Sequence, residues 1–273
     1  MNSNSERVSS RFFGSIGRLA LRFYARRVNQ AAFAGRLFLL GIWGLKGQMA
    51  KRRLMRRLIL SQVLEVFFSS VLLLVIFGLI MGVLWTIIWF GVLANIGGAG
   101  TLITLLIKVN LVEISPILTT LVVIMTYGGP MTLELSLAKS SGQFETLISM
   151  GIPPEHLLAW PRIFGLLLAF PGLLLVMNLS TWLGAYLGIY RAIDLPLYEF
   201  AANLYLALTP LGLLMLAVKC LLIGASIGFF CLYNAWQMPG RSFRLAPQVS
   251  RRAMCEAFVF STLAGVLVTV LYG

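Results

Sequence analysis

The chain has 273 residues, of which 59% are hydrophobic and 11% charged, with a net charge of +13 and a mean hydropathy of +0.90. Nine acidic and 22 basic residues cannot cover the exterior of a water-soluble domain of this size, which excludes that class. The apolar stretches are continuous where barrel strands would alternate, so a transmembrane barrel is excluded and an all-α integral membrane protein is expected.

Residues 1–10 are Ser/Asn-rich and read as a disordered leader. The region 11–62 reads as a basic, helical, cytoplasmic or interfacial segment. Within it Phe12, Ile16, Leu19 and Phe23 recur every three or four residues among Arg11, Arg18, Arg22, Arg26 and Arg27. An apolar stripe flanked by cations is the pattern of an amphipathic helix lying in the membrane interface. Residues 1–62 lack a short apolar core followed by a cleavage site, so no signal peptide is expected. The run from Lys51 to Arg57 anchors the start of the first span at the headgroups.

Five apolar stretches, at about 63–93, 101–125, 163–190, 203–232 and 253–272, are each long enough to cross the bilayer as a helix. Together they make one five-span membrane domain over 63–273. Thirteen of the 22 cations precede Gln62, and Lys139, Arg162, Arg241, Arg244, Arg251 and Arg252 flank the second and fourth connections. With five spans and a cytoplasmic N-terminus, all of these face the cytoplasm, as the positive-inside rule requires. The C-terminus is then periplasmic. The basic excess is thus a topology signal, not a nucleic-acid footprint. In the first span Gly78 and Gly82 form a small-xxx-small pair, open to a neighbouring span or to a second copy.

Between Tyr127 and Pro161 the chain turns polar, with Gly128-Gly129-Pro130 and Gly151-Ile152-Pro153-Pro154 as expected breakers. One or two short cytoplasmic helices are expected here, and such segments usually bind a partner. The sole histidine, His156, falls in this connection as a solvated loop residue, so neither a His-based triad nor a multi-histidine metal site can be built. No Gly-Lys-Ser/Thr sequence occurs, so any ATP and Mg must be bound by another subunit. Cys220, Cys231 and Cys255 suit neither zinc nor a disulfide framework and read as small buried apolar residues. Glu113 and Lys219 both fall mid-span. Lone ions in hydrocarbon are costly, so the two read either as a salt bridge between helices or as a polar spot in a substrate cavity. Glu65 and Lys108 lie nearer span ends.

The middle of the chain carries an ordered set of motifs. Glu113-Ile114-Ser115-Pro116-Ile117-Leu118-Thr119 resembles the Glu-Leu-Gly-Pro segment of MlaE/YrbE-type permeases, the membrane subunits of ABC transporters that work with MCE proteins on lipids. Leu133-Glu134-Leu135-Ser136 is similar to that family's Ala-Glu-Leu/Ile-Gly. The stretch Gln143 to Pro154 resembles its Glu-Gln-x-x-(Ala/Ser)-Leu-x-x-Met-Gly-x-(Asp)-Pro segment, and Pro161-Arg162 its Pro-Arg. There are departures: Ser115 replaces the family's Gly, Val112 its Arg, and Thr126-Tyr127-Gly128-Gly129 lacks the arginine of Gly-Arg-x-Gly. The segment Gln248 to Ala253 is reduced from Gly-Val-Gly-x-Ala-Thr-Thr, and Ala264 and Gly265 stand where an acidic residue is usual.

The resemblance implies a transport subunit without catalytic residues or cofactors of its own, in a bacterial inner membrane. It implies a second permease copy, a cytoplasmic P-loop ATPase and a periplasmic MCE-domain protein as partners. It places ATPase coupling on Glu134, Gln143, Glu145, Thr146, Leu147, Met150, Gly151 and Pro154. Phospholipid or a similar lipid would bind near Glu113 and Lys219. The first-span face of Leu72, Ile76, Leu79 and Val83, spaced at three to four residues, is the expected acyl-chain contact. The competing class is a non-transporting scaffold that assembles the same partners.

Overall fold

The computed structural model describes residues 30, 33, 49–93, 104, 107–151, 153–193, 197–239 and 242–272. The leader at 1–10 and the interfacial stripe at 11–27 lie outside them. Every regular element among the described residues is helical. Among them, five helices have the length and apolarity to cross a membrane: Met55–Trp89, Ile107–Ser140, Leu157–Tyr190, Pro210–Trp236 and Phe243–Leu271.

Helix α1 (Met49–Leu93) packs along α5 (Trp160–Ile193). Glycines set that contact. A Cβ on Gly165 would lie 2.8 Å from Gln62 Cβ, one on Gly78 2.6 Å from Ser180 Cβ, and one on Gly188 3.1 Å from Thr86 Cβ. Both numberings rise together along the seam, so α1 and α5 run parallel, as first and third spans must. The Gly78/Gly82 pair therefore packs within the chain. Small residues let two backbones approach closely enough for dispersion to hold them where lipid offers no hydrophobic drive.

The second span is where expectation and structure part. It was expected to end near 125, with Gly128-Gly129-Pro130 breaking the helix. Instead a wide turn at Asn110–Ile114 leads into α2 (Ser115–Val123), a second wide turn at Ile124–Gly128 and then α3 (Gly129–Ser140) without interruption. Pro130 sits in the first turn of α3, where a missing N–H costs least. The two glycines are there for proximity. A Cβ on Gly128 would meet Cys231 Sγ at 3.2 Å, and one on Gly129 would meet Met254 Sδ at 2.6 Å. Ser250 Oγ donates to the Gly129 carbonyl at 2.8 Å and pins the two helices there.

The real breaks are Gly142 and Gly151, at φ of +82° and +72°, a backbone region that L-residues with a Cβ seldom enter. They bracket α4 (Gln143–Ser149). A third wide turn, Glu155–Ala159, opens α5 and takes in His156, so the backbone there is helical, not a loop.

Between α5 and α7 (Pro210–Trp236) lies a short helix, α6 (Leu197–Ala207). The apolar run expected to span from 203 hides a break at Leu208 and Thr209. Thr209 is extended, and its Oγ1 accepts from Gly212 N at 3.2 Å, capping α7 ahead of Pro210. α7 runs antiparallel to α5, with Gly224 against Leu167 and Gly228 against Ile163. α8 (Ala246–Tyr272) returns antiparallel to α7, with Phe230 stacked on Phe260 at 4.3 Å and Asn234 Nδ2 donating to Glu256 Oε2 at 3.0 Å. One end of the bundle thus gathers α4, Lys139, Arg162, Arg244, Arg251 and Arg252, and α6 lies at the other.

Candidate functional site

Two places carry side chains that packing alone does not require. The first is the mid-span ion pair. Pro116 has no N–H to give the carbonyl four residues back, that of Val112, and its ring crowds that oxygen. The helix widens over Asn110–Ile114, with Ser115 N bonding to Asn110 O. Wide turns of this kind are rare and concentrate at functional sites. Lys219 of α7 fills the gap: its Nζ donates to Val112 O at 2.8 Å and to Glu113 Oε1 at 2.9 Å. Thr269 of α8 donates to the same Oε1 at 2.5 Å. Three spans are thereby tied at one point.

The Lys219 side chain is 1% exposed and that of Glu113 32%. An ammonium so buried is tolerable only because both partners sit within hydrogen-bond distance. The cation is a staple, and the carboxylate is the part that still faces outward. Glu113 opens into a cleft lined by Pro116, Ile117, Thr120, Ile223, Thr262 and Val266 among others. Its enclosed part is about 10 Å³, roughly the space of one water. No lipid tail fits inside one copy of the chain there.

The α1 residues expected beside this pair do not line the cleft. Leu72 and Ile76 face outward, Leu72 being 69% exposed, and Leu79 and Val83 are half-buried. The Leu79 backbone lies against Gly184 on α5. A single chain therefore brings Glu113 and Lys219 together and leaves the four apolar residues elsewhere on the bundle.

The second place is α4. Gln143, Glu145, Thr146, Met150 and Gly151 are exposed, Leu147 is half-buried and Pro154 is buried. Sequence reasoning missed what holds the helix. Phe144 is buried with its ring 4.8 Å from Trp236, and Lys139 Nζ donates to the Trp236 carbonyl, a cation on the last turn of α7. The periodicity of so short a helix could not have singled out Phe144. Ile148, also unforeseen, is exposed beside Met150. Glu134 pairs with Arg162 at 2.7 Å, closing the base of the α3–α4–α5 connection; the Arg162 side chain is 11% exposed and that of Glu134 65%. Of the three cysteines, Cys220 and Cys231 are buried and Cys255 is exposed, so the buried reading fails for the last.

This architecture has a counterpart among known proteins. The family model described as Permease MlaE matches residues 59–271. The chain belongs to the MlaE permease family. The match takes in all five spans, the ion pair and α4. Proteins of Rickettsia prowazekii and Rickettsia felis, each named a "probable ABC transporter permease protein", are 21% identical to it over 161 residues, or 59% of this chain. The aligned part is 61% of the length of each relative. Membership places the chain in a permease family, and the five long apolar helices agree with a multi-pass membrane protein.

Proposed function

We propose that this chain is the membrane subunit of a transporter that moves phospholipid, or a lipid of similar shape, between a bacterial inner membrane and a periplasmic MCE-domain protein. A separate P-loop ATPase that binds ATP and Mg supplies the energy. The observation that carries the reading is α4: a helix held to the bundle by one buried ring, presenting Gln143, Glu145, Thr146, Ile148 and Met150 outward at the cation-rich end. Positive-inside charge makes that end cytoplasmic, where an ATPase would meet it. The N-terminus is then cytoplasmic and the C-terminus periplasmic.

Two copies pair in this reading, because the cleft at Glu113 is too small for a lipid tail within one copy. The outward faces of Leu72 and Ile76 and the open side of Glu113 supply the walls, while Lys219 holds Glu113 in place from behind. ATP-driven closure of the ATPases pushes α4, and a difference in lipid affinity between the two states gives direction. No covalent chemistry on the chain is involved.

The test is Glu145→Arg in the reconstituted complex. The expected result is loss of ATPase co-purification with an unchanged permease melting temperature. Undiminished ATPase yield sinks the docking assignment. A wild-type complex that holds the ATPase but shows neither bound lipid nor lipid-stimulated hydrolysis points to a scaffold instead.

A further inference from the structure

The end of the bundle opposite α4 carries a helix that the transport reading does not use. α6 is amphipathic at helical spacing. Phe200, Leu204 and Ala207 turn inward with Ile107, Trp182, Tyr186 and Ile189, and the Phe200 ring lies 5.6 Å from Tyr186. The outer face is formed by Tyr198, Ala201, Ala202 and Tyr205, all exposed, the two tyrosines at 70% and 80%. Seven residues apart, they make one stripe.

The level of that stripe is set by its neighbours. α6 packs on α5 between Trp182 and Ile189, just where the third span ends at Tyr190. Thr86 of α1 touches Gly188 at the same height, and beside it Trp85 and Trp89 pair at 5.7 Å. On α5, Tyr186 and Tyr190 pair at 6.0 Å. Tryptophan and tyrosine rings from three helices therefore collect at one depth, at the end of the apolar spans. Rings with an apolar body and a polar tip gather at the headgroup–acyl boundary for that reason. Tyr198 keeps its tip engaged by donating to Glu199 Oε1 at 3.1 Å.

We propose that α6 is a lipid-surface element: its Tyr198–Tyr205 face rests on the headgroup–acyl boundary at the end of the bundle opposite α4. Charge supports a lipid occupant over a protein groove. Glu199 is the only charged residue of α6, and the exposed face is apolar with hydroxyl tips. The outer face continues into the membrane-facing residues of adjoining helices, Leu187 and Tyr190 on α5 and Leu211 and Leu214 on α7. The one carboxylate beside that face, Glu199, is held by the Tyr198 hydroxyl, and the face offers a soluble partner no cation. So anchored, α6 fixes the depth of Thr209 and hence the height at which α7 presents Lys219. The inference stands whether or not the chain moves lipid.

Nitroxide labels at Tyr205→Cys and at Ala201→Cys, in a Cys255→Ser background and in phosphatidylcholine nanodiscs, test this. Met150→Cys on α4 serves as the aqueous reference. At both α6 positions the ratio of oxygen to nickel-chelate accessibility is expected to exceed that at Met150 several-fold, at a depth near the headgroups. A ratio equal to that at Met150 would show a face open to water and overturn the proposal. So would shielding from both reagents, which would mean that a second copy or another protein covers it. The small Ala201 site keeps the result readable if the label at Tyr205 disturbs the helix.

Discussion

Lys219 donates to the carbonyl of Val112 at 2.8 Å, the oxygen that Pro116, four residues on, has no N–H to reach. The same ammonium neutralises Glu113, so one side chain from α7 repairs a backbone gap and a buried charge in the second span. Lys219→Met removes both. Stability is expected to fall by roughly 3 kcal/mol, the low end for breaking a buried pair, since Glu113 remains a third open. Lys219→Met with Glu113→Gln is expected to recover part of the loss, because no lone charge remains. Thermal unfolding in detergent checks this. Equal melting of the single and double variants would show that the pair is not the staple.

The glycine seam between α1 and α5 makes a graded prediction. A Cβ at Gly82 collides with the Thr181 carbonyl oxygen, whereas one at Gly172 meets Phe67 Cε2 at an ordinary 3.6 Å. Gly82→Ala must push the helices apart and is expected to cost about 1–3 kcal/mol, the usual range for overpacking. Gly172→Ala is expected to leave stability unchanged or slightly raised, as alanine is the better helix former. Comparing the two melting temperatures decides it.

Phe144 is the anchor of α4. Phe144→Ala removes the ring packed on Trp236 and frees the helix from the end of α7. Phe144 sits on α4, outside the five membrane-crossing helices, so melting of the spans is expected to change little while co-purification of an ATPase drops several-fold. A variant that retains full ATPase binding would show that α4 needs no fixed seat.

The Arg162–Glu134 pair is asymmetric. Glu134→Gln strands an almost fully buried guanidinium, whereas Arg162→Lys keeps the charge and loses the planar fork that meets a carboxylate. Both are expected to lower ATPase coupling. Exchange of the two charges, Glu134→Arg with Arg162→Glu, is expected to restore part of it over Arg162→Glu alone. Hydrolysis stimulated by the reconstituted permease is the readout, and no rescue by the exchange would mean that the pair acts only through packing.

Five spans could be read from the sequence because a helix that crosses a bilayer must be continuously apolar, and hydropathy reports that directly. The pairing of Glu113 with Lys219 was likewise legible, since two opposite charges at mid-span have few alternatives to each other. The expected turn at 128–130 and the expected start of the fourth span failed for physical reasons. Gly128 and Gly129 signal a turn locally, and only the arrival of Cys231 and Met254 from distant helices shows that they make room instead. The break at Thr209 vanished inside an apolar run, because α6 and α7 are both hydrophobic. The interfacial stripe at 11–27 lies outside the described residues.

The unbroken course of the second span has a mechanical consequence. From Asn110 to Ser140 the chain is 31 residues of continuous helix, about 46 Å long at 1.5 Å per residue. One end holds the carboxylate that Lys219 clasps, and the other hands over through Ser141 and Gly142 to α4. A load applied at α4 is carried along this rod as axial thrust. The wide turns at Asn110–Ile114 and Ile124–Gly128 are the two places where the regular α-helical bonding of the rod is interrupted.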